Sequence, residues 1–442
     1  MYQAESSGAV VRGGRPAAGA RQRGGRVSRN VVVLGSVSLL TDVSSEMVAA
    51  ILPIYLVFAL GATPLQFGIV DGIYQGISAL VRLVSGFVAD RWRRHKEVAA
   101  VGYGLSAACK AGLVAIGGSV AAIGGIMLVD RTGKGIRTAP RDALIALSSA
   151  TSALASAFGV HRAMDTAGAM LGPLVAFGLL VIAPARFDAI FVVSLCFAVL
   201  GLAVLLLFAN GRPQRPDAPS PDSPMNSHRQ DGTIHQSRAG VAETRPTLRE
   251  AASLLTEPRF RTLAVAAGVL AIATISDGFV YLGLQRTLGF SLTAFPLLFV
   301  GSAAVYMALA IPVGRLADRV GRRLVFVAGY ALLLPVYAVL LLPSAGIPGL
   351  VLALCALGAY YAATDGVLQA IASAILPDNL RASGLALLVT ATSLAKLVSS
   401  VAFGLVWTLG GLEVAAAAFT AALAAALIAA AVVLSRSSEI AS

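Results

Sequence analysis

"GFVADRWRRH" at residues 86–95 and "GRLADRVGRR" at 314–323 are one short phrase written twice. Their aspartates, Asp90 and Asp318, lie 228 residues apart (318 − 90), and each phrase closes the second long apolar run of its half of the chain. A phrase repeated at equivalent places implies two like halves. Gly86 and Gly314 permit close helix packing at the end of such a run. The Asp90, Arg91, Arg94 set and the Asp318, Arg319, Arg322 set can form ion pairs with neighbouring helix ends. Such loops are candidate cytoplasmic gates, made and broken as the halves rock.

Working outward, the composition sets the class. Of 442 residues 57% are hydrophobic and 13% charged, with mean hydropathy +0.81, outside the ordinary soluble range. Runs of about 20 residues, enough to cross a hydrocarbon core of ~30 Å, fall at 31–60, 65–89, 97–117, 119–138, 152–183, 187–209, 260–288, 293–317, 323–343, 347–376, 383–409 and 412–434. Only helices satisfy their own backbone over such spans. The expectation is an all-α polytopic membrane protein, with twelve transmembrane helices in two pseudo-symmetric six-helix bundles.

Basic residues set the orientation. Arg12, Arg15, Arg21, Arg23, Arg26 and Arg29 crowd the first segment, "RWRRHK" (91–96) and "DRVGRR" (318–323) fall on the same side, and few cations fall on the other. Both termini are expected in the cytoplasm, in a multi-pass plasma (inner) membrane protein. The net charge of +12 is thus a topology signal, and nucleic acid is not an expected partner. The predicted organisation is a basic cytoplasmic tail at 1–30, a six-helix bundle at 31–209, a cytoplasmic linker at 210–258, a second six-helix bundle at 259–435 and a tail at 436–442. The linker, rich in Pro, Asp, Ser and Arg, reads as disordered and then as a short interfacial helix. The first segment lacks the apolar core of a cleaved signal peptide. No spacing of Cys or His suits a metal, no cofactor is expected, and "RTGKG" (131–135) lacks the upstream glycine of a phosphate loop. An enzyme is not expected.

Two six-helix halves joined to a G-x-x-x-D-R-x-x-R loop resemble the major facilitator superfamily. Trp92 and Arg93 replace the apolar residue and glycine that the family prefers in the first copy. The resemblance implies that the fourth helix lines a central cavity, with Arg131 and Gly135 at the ends of an R-x-x-x-G motif. In the fifth helix Gly159, Gly168, Gly172 and Pro173 follow the G-x8-G-x3-G-P spine of drug/proton antiporters, ending in Ala176-Phe177 where that spine prefers glycine. Physically, Gly168 and Gly172 make a smooth stripe for helix contact, and Pro173 bends the helix.

Each charge at mid-membrane costs roughly 2.5–3.5 kcal/mol on an insertion scale, so something must compensate or use it. Asp42 and Glu46 lie one turn apart in the first run, and Asp277, Tyr281 and Gln285 share a face of the seventh. Tyr361, Asp365 and Gln369 share one on the tenth, beside Tyr360. Asp130 precedes Arg131, with Lys134 one turn on along the same face as the expected ion-pair partner of Asp130, and Lys134, Arg137 and Arg141 lie progressively nearer the cytoplasm, where they can snorkel. The offsets match: 277 − 42 and 365 − 130 are both 235. The resemblance places the first, fourth, seventh and tenth helices around the cavity, so Asp42, Asp130, Asp277 and Asp365, with Glu46 and Arg131, are expected as a pseudo-symmetric proton-coupling set there. Tyr281, Tyr360, Tyr361 and Gln369 are candidate substrate contacts.

The functional expectation is a proton-coupled secondary transporter working by alternating access as a monomer. It would export a small cationic or neutral amphiphilic organic molecule by antiport. A transporter of metal ions or metal chelates, or a membrane receptor or assembly factor on the same fold, are the other readings.

Overall fold

The structure, a computed structural model, describes residues 27–439 apart from 93, 117, 151–152, 212–252 and 378–379; of 83–92, 343, 382 and 434–439 only the backbone is described. Most of the linker and the first tail lie outside these residues. So do the side chains of Asp90 and Arg91 and the surroundings of Gly86.

The described chain is almost entirely helical. In the first half, α1 (Arg29–Ile54) continues through one wider turn at Tyr55–Ala59, followed by α2 (Pro64–Trp92), α3 (His95–Ala115), α4 (Val120–Leu147), α5 (Leu154–Ile182) and α6 (Phe187–Phe208). Ser28 and Ser119 cap α1 and α4, their hydroxyls accepting from the N–H groups of Val31 and Ala122, as short polar side chains do at helix starts. In the second half come α7 (Pro258–Ile272), α8 (Asp277–Leu288), α9 (Pro296–Val320), α10 (Arg322–Ala331), α11 (Leu333–Leu340), α12 (Gly346–Ile375) and α13 (Arg381–Glu439). Gly411, at φ +85°, breaks α13 into two helices, a conformation that favours a residue without a Cβ. Nine described segments are long and apolar enough to cross a membrane, and the 51 residues of Ser383–Val433 are long enough for two passes. Large apolar side chains face outward, Ile182 at 82% and Leu409 at 79% exposure. Buried charge and exposed Ile and Leu invert the soluble pattern and suit a lipid solvent.

The seventh predicted run, 260–288, is not one helix. It breaks between α7 and α8, and the freed backbone is satisfied from outside. Tyr337 accepts from the Ile275 N–H at 2.8 Å, and the Ser399 hydroxyl donates to the Thr274 carbonyl at 2.6 Å. Irregular backbone at membrane depth persists only where protein or cavity supplies such partners.

Helices α1, α5 and α6 pack together, as do α2 with α4 and α3 with α4 and α6; in the second half α9, α10 and α11 gather on α12, and α7 lies on α13. Two seams join the halves, α2 on α13 and α5 on α9. Glycine makes the first close. A Cβ on Gly68 would sit 2.6 Å from the Ser400 carbonyl, and one on Gly404 2.5 Å from the Pro64 carbonyl. Leu65 N–H also donates to the Thr408 hydroxyl at 2.9 Å. The start of α2 is thus sealed against α13.

Candidate transport site

Between these seams lies a cavity of about 370 Å³, mouth included, lined by Ala49, Leu52 and Pro53 of α1, Phe67, Asp71, Tyr74 and Gln75 of α2, Asp277 and Gly278 of α8 and Phe299 of α9. Two carboxyls and three aromatic rings face it, and no Lys or Arg is in this lining. Asp277 occupies the first turn of α8, where the helix dipole favours an anion, and it accepts a 2.6 Å hydrogen bond from the Tyr361 hydroxyl of α12. Asp71 accepts one from Ser400 of α13 at 2.7 Å, so it joins the halves at the same level. A broken helix beside the cavity is an arrangement that transporters use at mid-membrane sites.

The other predicted acids lie in a denser network. Asp130, 1% exposed, pairs with Lys110 of α3 at 3.1 Å and with Arg131 at 2.7 Å. The expected partner Lys134 is displaced by Lys110, because α3 and α4 touch through Gly102 and Gly133: a Cβ on Gly133 would lie 2.8 Å from the Gly102 carbonyl. Lys110 is itself 1% exposed, and nothing within α3 marked it in advance. The Arg131 guanidinium lies 4.0 Å from the centre of the Tyr74 ring, a cation–π contact that carries this network to the cavity wall. Gly135, the last residue of the R-x-x-x-G motif, lets α4 lie against α2, since its Cβ would be 2.6 Å from that of Val81.

Arg137 and Arg141 do not snorkel. They are 3% and 6% exposed because their partners lie inside the bundle. Arg137 donates to Ser106 at 2.8 Å, stands 3.9 Å from Asp42 and covers the Tyr103 ring. Arg141 donates to Ser38 at 3.0 Å and lies 3.1 Å from Asp142 and 3.7 Å from Asp165. Arg82 lies 3.8 Å from the far oxygen of Asp142. Glu46 is 6% exposed on α1, its Cβ 2.8 Å from where a Cβ on Gly172 would sit.

Of the aromatic candidates, Tyr281 is turned away from the cavity. It is 1% exposed, with its hydroxyl on Ser302 at 2.6 Å and its ring against Phe299 and Phe295; it shares α8 with Asp277, but α9 takes up both its hydroxyl and its ring. Gln285 donates to the Phe290 carbonyl and so belongs to a turn. Tyr360 stacks on Tyr330 and Tyr361, and Asp365 lies among Tyr306, Tyr330 and Tyr360. Gln369 is half-buried one turn after Asp365. In the fifth helix, Cβ atoms on Gly168 and Gly172 would lie 2.5 Å from the Leu39 carbonyl and 2.9 Å from that of Val43, whereas Gly159 meets nothing within 4 Å. Close packing on α1 therefore belongs to the two glycines nearest Pro173. In the second repeated loop Arg322 pairs with Asp318 at 2.8 Å and reaches the Ala370 carbonyl of α12 at 3.3 Å. Gly314 has open space around it, and Arg94 and Arg319 are exposed.

The family model of the Major Facilitator Superfamily matches residues 34–291 and 262–440. The chain belongs to the major facilitator superfamily. A relative in this transporter family, an uncharacterized MFS-type transporter of Methanocaldococcus jannaschii, is 29% identical over 393 residues, covering 86% of this chain and 89% of that one. Among solved structures, a variant of the nucleoside transporter NupG superposes with a TM-score of 0.73 at 14% identity, over 92% of this chain and 100% of that one. The peptide transporter POT in complex with sulfate gives 0.70 at 15%, over 93% and 95%. These likenesses fix the fold. The transporter is a multi-pass membrane protein that takes a small-molecule substrate rather than an enzyme.

Proposed function

We propose that this transporter is a proton-coupled antiporter that exports small cationic or amphiphilic organic molecules through the cavity at Asp71 and Asp277. The observation that carries the substrate class is the lining itself: two carboxyls, Phe67, Tyr74 and Phe299, without a basic side chain. A carboxylate and an aromatic face attract an organic cation by charge and by the ring quadrupole. The acid excess seen in the sequence does not support this reading on its own, because Lys110, Arg131, Arg137 and Arg141 are buried beside Asp42 and Asp130. Antiport rests on the fifth-helix spine, in which Gly168 and Gly172 seat α5 on α1.

In this reading twelve passes form two bundles, 31–209 and 259–435, with both termini in the cytoplasm of a cell whose inner membrane holds the monomer. The α2–α13 seam is the outer gate, here closed. The repeated loops at 86–95 and 314–323 close the opposite side. Asp42, Glu46, Asp130, Arg131, Asp277 and Asp365 are the charges that respond to protons and substrate, and Tyr360, Tyr361 and Gln369 shape the second-half wall.

Reconstitution into liposomes with an imposed pH gradient tests this. Labelled tetraphenylphosphonium and ethidium should move against their gradient when protons move down theirs. Asp277→Asn should lower that flux at least tenfold. Transport of organic anions in place of cations, or cation flux indifferent to both the gradient and Asp277→Asn, would overturn the reading.

A further inference from the structure

The mechanism sketched above leaves Asp165 without a task. Asp165 stands on α5, one turn before Gly168, and the close approach of α5 to α1 at that glycine sets it beside Asp42 and Ser38. Ser38 lies one turn before Asp42 on α1, so its bond to Asp165 brings the two carboxyls to one face of the α1–α5 contact. Two carboxyls set together inside a bundle favour sharing one proton over bearing two adjacent charges. Ser38 donates to Asp165 Oδ1 at 2.6 Å and accepts from Arg141 Nη1 at 3.0 Å. Arg141 lies 3.7 Å from Asp165, and Arg137 lies 3.9 Å from Asp42.

We infer that Asp42 and Asp165 together form a one-proton site between α1 and α5, apart from the substrate cavity at Asp71 and Asp277. This rests on the proton-coupled reading and gives it an address. In the loaded state one proton lies between the two carboxyls, which then carry one negative charge. On release the proton leaves to water, both carboxyls are ionised, and the two charges face two guanidiniums, Arg137 for Asp42 and Arg141 for Asp165. In the loaded state Asp142, 3.1 Å from Arg141, balances the guanidinium that the shared proton leaves in excess, so neither state strands a charge, which is what a carboxyl pair needs to cycle inside a bundle. The groups that face the pair are Ser38 from α1, Lys134, Arg137 and Arg141 from α4, with Asp142 on Arg141, and His161 from α5. Behind them stand Tyr103 and Ser106 of α3 and Arg82 of α2.

A second observation points to proton traffic here. His161 is 3% exposed, one turn from Asp165 on the same face of α5, and its buried Nε2 has no hydrogen-bond partner. A buried imidazole nitrogen left open beside a carboxyl pair is a relay position for a proton entering or leaving.

Infrared pH-difference spectroscopy of the reconstituted full-length protein reads this site with the proton itself as probe. A protonated-carboxyl C=O band should appear as the pH falls. Asp42→Asn and Asp165→Asn should each abolish it, Ser38→Ala should keep it but displace its midpoint, and Asp71→Asn and Asp277→Asn should leave it in place. A band that survives in both Asp42→Asn and Asp165→Asn, or that vanishes with Asp277→Asn, overturns the assignment. Should the asparagine variants unfold, Asp165→Glu preserves the chemistry: a band displaced in frequency supports the site, and an unchanged band overturns it. Failure of wild-type protein to move any organic cation would end the substrate reading without altering this titration.

Discussion

The two halves share a topology but bury different chemistry. The first holds Lys110, Arg131, Arg137 and Arg141 beneath its surface, matched to Asp42, Asp130, Asp142 and Asp165. Moving 235 residues along, the offset that relates Asp42 to Asp277 and Asp130 to Asp365, Arg131, Arg137 and Arg141 become Gly366, Ala372 and Leu376, and Asp165 becomes Ser400. The second half fills the corresponding space with rings: Tyr330, Tyr360 and Tyr361 in one stack, and Phe279, Phe403, Trp407 and Phe419 in another. A duplicated scaffold has thus been divided into an ion-bearing half and an apolar, aromatic half. The two meet where Asp71 of the first accepts from Ser400 of the second.

That contrast can be broken most directly at Asp130. Lys110→Met leaves Asp130 to Arg131 alone in a dry site, and removing one partner of a buried pair costs up to about 3–5 kcal/mol. The unfolding temperature in detergent should fall, and Lys110→Met combined with Asp130→Asn, which keeps a hydrogen-bond acceptor for Arg131, should recover part of the loss. Equal damage from both variants would show that packing, not charge pairing, governs this region. In the second half, Tyr361→Phe removes one hydrogen bond to Asp277 and should cost about 1.5–3 kcal/mol, with organic-cation flux reduced as well.

Gly168→Ala sharpens the comparison within the first half. Its Cβ would meet the Leu39 carbonyl, and overpacking of this kind costs roughly 1–3 kcal/mol. The displacement should also separate Asp165 from Asp42, so the carboxyl infrared band should shift; Gly159→Ala, with open space around it, should do neither. The smallest effect is expected at the end of α9. Asp318 and Arg322 are 61% and 43% exposed, and Asp318→Asn should cost no more than ~1 kcal/mol. Any larger change in transport rate than in unfolding temperature would mark that loop as a gate.

The charged inventory was legible along the chain, but the pairing was not. Asp130 and Lys134 satisfy the one-turn rule of a single helix, yet Lys110 displaces Lys134 because Gly102 and Gly133 bring α3 within reach. Arg137 and Arg141 look like snorkelling residues in one dimension, whereas Ser106, Ser38 and three aspartates hold them inside. Asp165 stands one turn before Gly168 in the chain, but its place beside Asp42, 123 residues away, is set by the packing of α5 on α1.

What the sequence by itself determined is the class of object: a helical membrane protein with a repeated loop, acids spaced 235 residues apart and a glycine spine in α5. Hydropathy, repeat spacing and residue size are local properties, and they survive without coordinates. The tertiary structure decided which acid faces which cation, where the seventh run breaks and which rings see the cavity. Those outcomes depend on contacts between residues far apart in sequence. In a medium without water, each buried polar group takes whichever partner the packing of the helices puts within reach.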